Sequence, residues 1–120
     1  MLNAHYLHHV TVPVTNLSQA RDFYGRILGL DELPRKGVGP GGAWFQIGPS
    51  QINLLVRKKQ NSDTIRHFAI CVDSIRAARK SLKTEGIEMT KTTQVGNINR
   101  FFFDDPDGNR GEIVCPIGQG

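Results

Sequence analysis

His9-Val-Thr-Val-Pro-Val14 and His67-Phe-Ala-Ile-Cys-Val72 are the two stretches that decide the fold. They lie 58 residues apart, and each is a histidine heading an alternating apolar run. Period-two alternation marks a strand with one covered face and one open face. Carried along the chain, the same offset sets Ala20 on Ala78 and Arg21 on Arg79. With one residue lost, Gly29-Leu30 falls on Gly86-Ile87, and Trp44-Phe45 on Phe101-Phe102. At an offset of 59, Asn53 falls on Glu112. The chain therefore reads as two copies of one unit of about sixty residues, too few repeats for a solenoid.

Each copy predicts the same order of elements. In the first, Leu7 to Val14 is a strand and Asn16 or Ser18 caps a helix. Leu17, Ala20, Tyr24, Ile27 and Leu28 recur there at helical spacing, and Gly29 supplies the C-cap. A strand near Leu30 to Arg35 follows, then a hairpin of Ala43 to Gly48 and Gln51 to Arg57. In the second copy His67 to Val72 is a strand. Ser74 caps a helix with Ile75, Ala78 and Leu82 on one face, closed by Gly86. Ile87 to Lys91 is a short strand. Arg100 to Asp104 and Arg110 to Cys115 pair across Asp105-Pro-Asp-Gly-Asn109, a strong turn sequence. The class is α+β, strand-helix-strand-strand-strand twice over, with the polar Lys58 to Thr64 as the link.

Composition narrows the functions. The 120 residues suit one domain, or two small halves sharing a core, and 38% hydrophobic with 22% charged residues is ordinary globular chemistry. No apolar run approaches the roughly 20 residues of a membrane helix, so no membrane partner is expected. The first residues carry no basic segment followed by a long apolar one, which predicts no secretory leader. Two cysteines make no disulfide framework, so both are read as reduced and the protein as cytoplasmic. The net charge of +4 is partly local, at Arg57, Lys58 and Lys59. A nucleic-acid surface would need a broader basic stripe with stacking aromatics, so none is expected. Gly37-Val-Gly-Pro-Gly-Gly42 matches G-x-G-x-x-G in letters only: Pro40 interrupts it, and a strand rather than a helix follows. A loop at a cleft mouth is the reading kept. There is no G-x-S-x-G nucleophile elbow.

Face parity identifies the candidate site. In a strand, residues i and i+2 share a face. Val10, Val12 and Val14 form one apolar face, as do Phe68, Ile70 and Val72, and these faces should meet the helices. His9 and His67 take the opposite face, and Glu112 opposes Ile113 and Cys115. His9, Asn53, His67 and Glu112 thus stand at repeat-equivalent strand positions. Two imidazoles and a carboxylate suit a divalent metal such as Zn, Ni, Fe or Mn. His8 has the opposite parity and is expected to be structural. Cys71 shares the His67 face and is expected to be a small buried filler.

These segments carry a family resemblance. Leu-His-His-Val-Thr-Val-Pro-Val, Ala-Arg-Asp-Phe-Tyr-Gly-Arg-Ile-Leu-Gly-Leu, Gly-Ala-Trp-Phe-Gln-Ile-Gly, Arg-His-Phe-Ala-Ile-Cys-Val and Phe-Asp-Asp-Pro-Asp-Gly-Asn-Arg-Gly-Glu-Ile cover nearly the whole chain. Together they resemble the vicinal oxygen chelate superfamily of glyoxalases, bleomycin-resistance proteins and extradiol dioxygenases. The resemblance implies one domain over 1–120, with module one at 5–58 and module two at 65–117. It implies two βαβββ modules forming a curled mixed sheet around a cleft, helices on the outer face. It implies His9, His67 and Glu112 as metal ligands, Glu112 also as the catalytic carboxylate, Asn53 at the fourth position, and a homodimer. Asn53 departs from the glyoxalase I-like pattern, which places glutamate there, and an amide is no general base near neutral pH. The implied function is a metal-dependent lyase, isomerase or dioxygenase acting on a small oxygen-rich substrate. The alternative is a metal-free, bleomycin-resistance-like binding protein.

Overall fold

Strand β1, His9–Val14, pairs in parallel with β4, Ser50–Val56, and this pairing organises the first half of the chain. The computed structural model describes residues 1–35, 39–58 and 65–118. Most of the expected link (59–64) and part of the glycine-rich loop (36–38) lie outside the described residues. The chain divides into two compact units, Met1–Gln60 and Asn61–Gly120.

In the first unit helix α1, Leu17–Arg21, follows β1 and opens with the Asn16 side chain accepting from the Gln19 N–H at 2.9 Å. Strands β2, Asp31–Leu33, and β3, Gly42–Ile47, complete a four-stranded mixed sheet in the order β1-β4-β3-β2. Two residue rows cross this sheet on its covered face, Val10 beside Ile52 beside Phe45, and Val12 beside Leu54 beside Ala43. All but the half-buried Val10 are buried, and α1 packs against β3 and β4.

The expected single α-helix to Leu28 does not form. After Arg21 the chain widens into a π-helical segment, Asp22–Ile27, with the Leu28 N–H reaching back to the Phe23 carbonyl at 2.9 Å. In an α-helix consecutive side chains point about 100° apart. The wider turn lets Phe23 and Tyr24, neighbours in sequence, both bury completely. Gly25 sits in this segment because a Cβ there would stand 3.3 Å from the Phe45 ring. Arg26 clamps the segment from outside by donating to Asp22 at 2.7 Å, which holds the Asp22 carboxyl below its usual range.

The second unit repeats the topology. Strand β5, Phe68–Cys71, precedes helix α2, Ile75–Thr84, whose Ser74 cap accepts from the Ala77 N–H at 3.0 Å. Strands β6, Thr93–Val95, β7, Ile98–Asp104, and β8, Arg110–Pro116, give the order β5-β8-β7-β6, with β5 and β8 parallel. The α+β class and the doubled βαβββ order stand, as two four-stranded mixed sheets, one in each unit. Among the described residues no helix is long and apolar enough to cross a membrane.

Two boundaries differ from expectation. Ile87 to Lys91 is not a strand: only Met89 bridges, to Phe103, and the second strand of the unit is β6. The two-residue loop Gly96-Asn97, with Gly96 at φ +57°, folds β6 back on β7 as a hairpin. The register also sets Trp44 on Phe102, not Phe101: Asn53 pairs with Trp44 while Glu112 pairs with Phe102. Phe45 and Phe103 are then the matching buried rings.

Gly111 fixes this register. A Cβ there would stand 2.4 Å from the Phe103 ring, whose neighbours do not release it, since Phe68 meets it edge-on at 6.2 Å. Gly111→Ala is therefore expected to destabilise the second unit by about 1–3 kcal/mol, the usual cost of overpacking. Urea unfolding measures it, and an unchanged midpoint would contradict the packing described.

Candidate functional site

Glu112 is placed by the turn that precedes it. The buried Asp105 carboxylate accepts the backbone N–H groups of Asp107 and Asn109 at 2.9 and 2.8 Å, and the Asn109 side-chain amide at 2.9 Å. The turn delivers the chain to β8, where Gly111 faces the Phe103 side and Glu112 faces the opposite, open side. Glu112 is nonetheless only 6% exposed. A carboxylate so removed from water needs compensating partners.

Two side chains face it, and the Arg100 guanidinium supplies the positive charge. His67 brings Nε2 to 2.9 Å from Glu112 Oε1, and Arg100 Nη1 donates to Oε2 at 3.4 Å. His67 Nδ1 lies 2.9 Å from the Ile65 carbonyl oxygen. A carbonyl only accepts, so Nδ1 donates to it. The Nε2–Oε1 contact is then a hydrogen bond only with a second proton, on Nε2 or on the carboxyl, whereas a metal ion would take the Nε2 lone pair instead. The His67 ring rests edge-on against Phe102 at 5.4 Å. The guanidinium groups of Arg100 and Arg110 each lie 4.9 Å from the centre of that same ring. Arg110 in turn stands 3.6 Å from Asp104. A cavity of about 370 Å³ borders the ring, lined in part by Glu88, Thr90, Phe102, Asp104 and Arg110 but not by His67, Arg100 or Glu112. That is the size of a small-molecule site.

The corresponding face of the first unit is differently furnished. His9, Thr11 and Pro13 share the open side of β1, opposite Gln51, Asn53 and Leu55 of β4. Asn53 stands in one row with Thr11 and Trp44, half-buried, and its Oδ1 is buried without a hydrogen-bond partner. His9 Nδ1 lies 3.0 Å from His8 Nδ1, and the two rings meet edge-on at 5.2 Å. His8 lies just before the strand, and its ring stays in contact with that of His9. Cys71 departs from expectation. It is exposed on the open face beside Val114, whereas Cys115 is buried on the covered face.

The structure therefore brings His67 and Glu112 together, in the second unit, and sets His9 and Asn53 on the open face of the first. Among the described residues no group of three or more His, Cys, Asp or Glu side chains stands ready around a metal position. The donor chemistry of the pair nonetheless fits a divalent ion. A histidine whose Nδ1–H is held by a backbone carbonyl offers Nε2 as ligand, the usual outer-shell arrangement. Two ligands at right angles, each about 2.1 Å from one ion, would lie about 3 Å apart, close to the observed Nε2–Oε1 separation. In the first unit, separately, the Asn53 Oδ1 is a buried oxygen without a hydrogen-bond partner. Arg100, Phe102 and Arg110 escaped the sequence reading. Their signal was present: in β7 and β8 they share the parity of Glu112.

The comparisons agree with this geometry. The model of the Glyoxalase/Bleomycin resistance protein/Dioxygenase superfamily matches residues 6–113. The chain belongs to that superfamily. It is 31% identical over 115 residues to the trivalent organoarsenical cleaving enzyme of Bacillus sp. (strain MD1), covering 88% of this chain and 70% of that one. It is 23% identical to the glutathione transferase FosA of Serratia marcescens, over 89% of this chain and 78% of the other. A crystal structure of a glyoxalase family protein from Bacillus anthracis superposes with a TM-score of 0.84 at 30% identity, covering 97% of this chain and 99% of that chain.

Proposed function

We propose that this protein is a divalent-metal-dependent enzyme of lyase, isomerase or dioxygenase type, acting on a small oxygen-rich substrate. Its metal ligands are His9, His67 and Glu112, with Asn53 at the fourth position. The observation that carries the reading is the buried Glu112 carboxylate meeting His67 Nε2 at 2.9 Å. His9 stands at the repeat-equivalent position in the first unit. The names of the relatives, a cleaving enzyme and a transferase, favour an enzyme over a binding protein. The proposed setting is the cytoplasm, with the chain acting as a homodimer and the two modules, 5–58 and 65–117, forming one domain.

A metal at this position would supply Lewis acidity to neighbouring substrate oxygens. The Ile65 carbonyl keeps the His67 proton on Nδ1, so the ring cannot turn its N–H toward the ligand position. Glu112 is the one carboxylate of the four repeat-related positions and so the group able to accept a substrate proton. Asn53 can orient an oxygen through its amide but cannot take a proton from it. Phe102 walls the Glu112 side with an aromatic surface.

The name of the Bacillus relative raises a second substrate chemistry. Trivalent arsenic is soft and prefers paired thiolates. Cys71 and Cys115, the two cysteines of the chain, lie on opposite faces of their sheet and cannot close on one arsenic within a unit. An oxygen-donor substrate is therefore preferred. The metal-free binding alternative has one observation in its favour: Arg100 already answers the Glu112 charge without an ion.

Five outcomes are expected. Elemental analysis of tag-free protein should find one divalent ion per chain. His9→Ala, His67→Ala and Glu112→Ala should each weaken metal uptake by more than about tenfold, while His8→Ala retains it. Protein that takes up none of Ni, Zn, Mn or Fe would favour the binding protein instead. Asn53→Glu should tighten metal binding by adding a charged ligand. The natural sequence should show little isomerisation of the methylglyoxal–glutathione hemithioacetal, followed by thioester absorbance, and robust turnover by it would contradict the role given to Asn53. Light scattering at micromolar concentration should report a dimer, and a monomer would refute the proposed assembly.

A further inference from the structure

Arg100 has more hydrogen-bonding capacity than the structure uses. A guanidinium carries five N–H donors in a planar fork. Here Nη1 reaches Glu112 Oε2 at 3.4 Å, at the long end of the range, and Nε is buried with no hydrogen-bond partner. An arginine built only to neutralise Glu112 would be expected to grip it through both fork nitrogens at a shorter distance. The side chain is 32% exposed, so it is not sealed from a ligand even though Nε is buried. Its plane is held over the Phe102 ring at 4.9 Å, which lowers the cost of ordering it when a ligand arrives.

Charge points in the same direction. Among the described residues Arg110 is balanced by Asp104 at 3.6 Å, and Arg100 by Glu112 alone. A divalent ion held by Glu112 would claim that carboxylate and leave the Arg100 guanidinium, partly buried, without a counter-charge. An uncharged substrate would leave it so. An anionic one would meet both the ion and the fork.

We infer that Arg100 receives a carboxylate or phosphate-type oxyanion of the substrate beside Glu112, so that the substrate class is small oxyanions. This rests on the reading of His67 and Glu112 as metal ligands, and it gives that site its substrate chemistry. Arg100 is then a specificity-determining residue that the sequence pattern did not single out.

The test is calorimetric titration of the full chain, metal-free and metal-loaded, with inorganic phosphate and separately with oxalate, at ionic strength matched by chloride. The natural protein should bind one or both, more tightly when loaded. Binding of phosphate alone would assign a phosphate-type group, and of oxalate alone a carboxylate. Arg100→Gln should weaken that affinity by more than about tenfold while metal uptake, read separately by elemental analysis, is retained. Arg100→Lys should recover part of the loss, and it carries the test if circular dichroism shows Arg100→Gln to be unfolded. A purely structural Arg100 would shift the melting temperature and leave anion affinity unmoved. Equal affinity in the Arg100 variants, or no oxyanion bound by the natural protein, overturns the inference. Failure of metal uptake with Arg100-dependent anion binding intact would instead overturn the metal reading.

Discussion

A carboxylate that is 6% exposed must be answered by positive charge or strong hydrogen-bond donors, and the second unit is arranged around answering Glu112. Gly111 lets Phe103 seal the covered face directly beneath it. The Asp105 turn starts β8 in the register that turns Glu112 to the open side. Ile65 holds the far nitrogen of His67, so that the near one meets the carboxylate. Arg100 lies over Phe102 and reaches the remaining oxygen. Removing one partner from such a group leaves buried charge uncompensated, which is far more damaging than the net worth of the pair suggests.

The duplicated unit shows what happens where that charge is missing. Asn53 stands where Glu112 stands, in a row with Thr11 and Trp44 as Glu112 is with Ala69 and Phe102. A neutral amide needs no guanidinium, and its Oδ1 has no partner at all. The two halves have therefore diverged in chemistry while keeping one topology. Under the proposed function each half supplies a histidine ligand; the second half adds the charged ligand and the anion receptor, the first a neutral amide.

The doubled topology was legible because parity is a period-two property and both β1 and β5 display it without interruption. The pairing of His67 with Glu112 followed from the same parity. The π segment was not legible. Helical periodicity selects Tyr24 but skips Phe23, and only the widened turn buries both. Strand β6 was missed because all three of its residues are exposed and carry no apolar alternation. The exposure of Cys71 was missed because nothing in the sequence says whether an open face is covered. Arg100 was missed for a physical reason too. An arginine in a strand usually marks solvent, and its role here comes from the neighbours that register alone supplies.

The most direct measurement is anomalous diffraction from crystals of the protein loaded with manganese or zinc. The account predicts a single strong peak within about 2.0–2.3 Å of both His67 Nε2 and a Glu112 oxygen, with His9 completing the set. A peak elsewhere, or a fully loaded crystal in which His67 and Glu112 still contact each other directly with no ion between them, would contradict it.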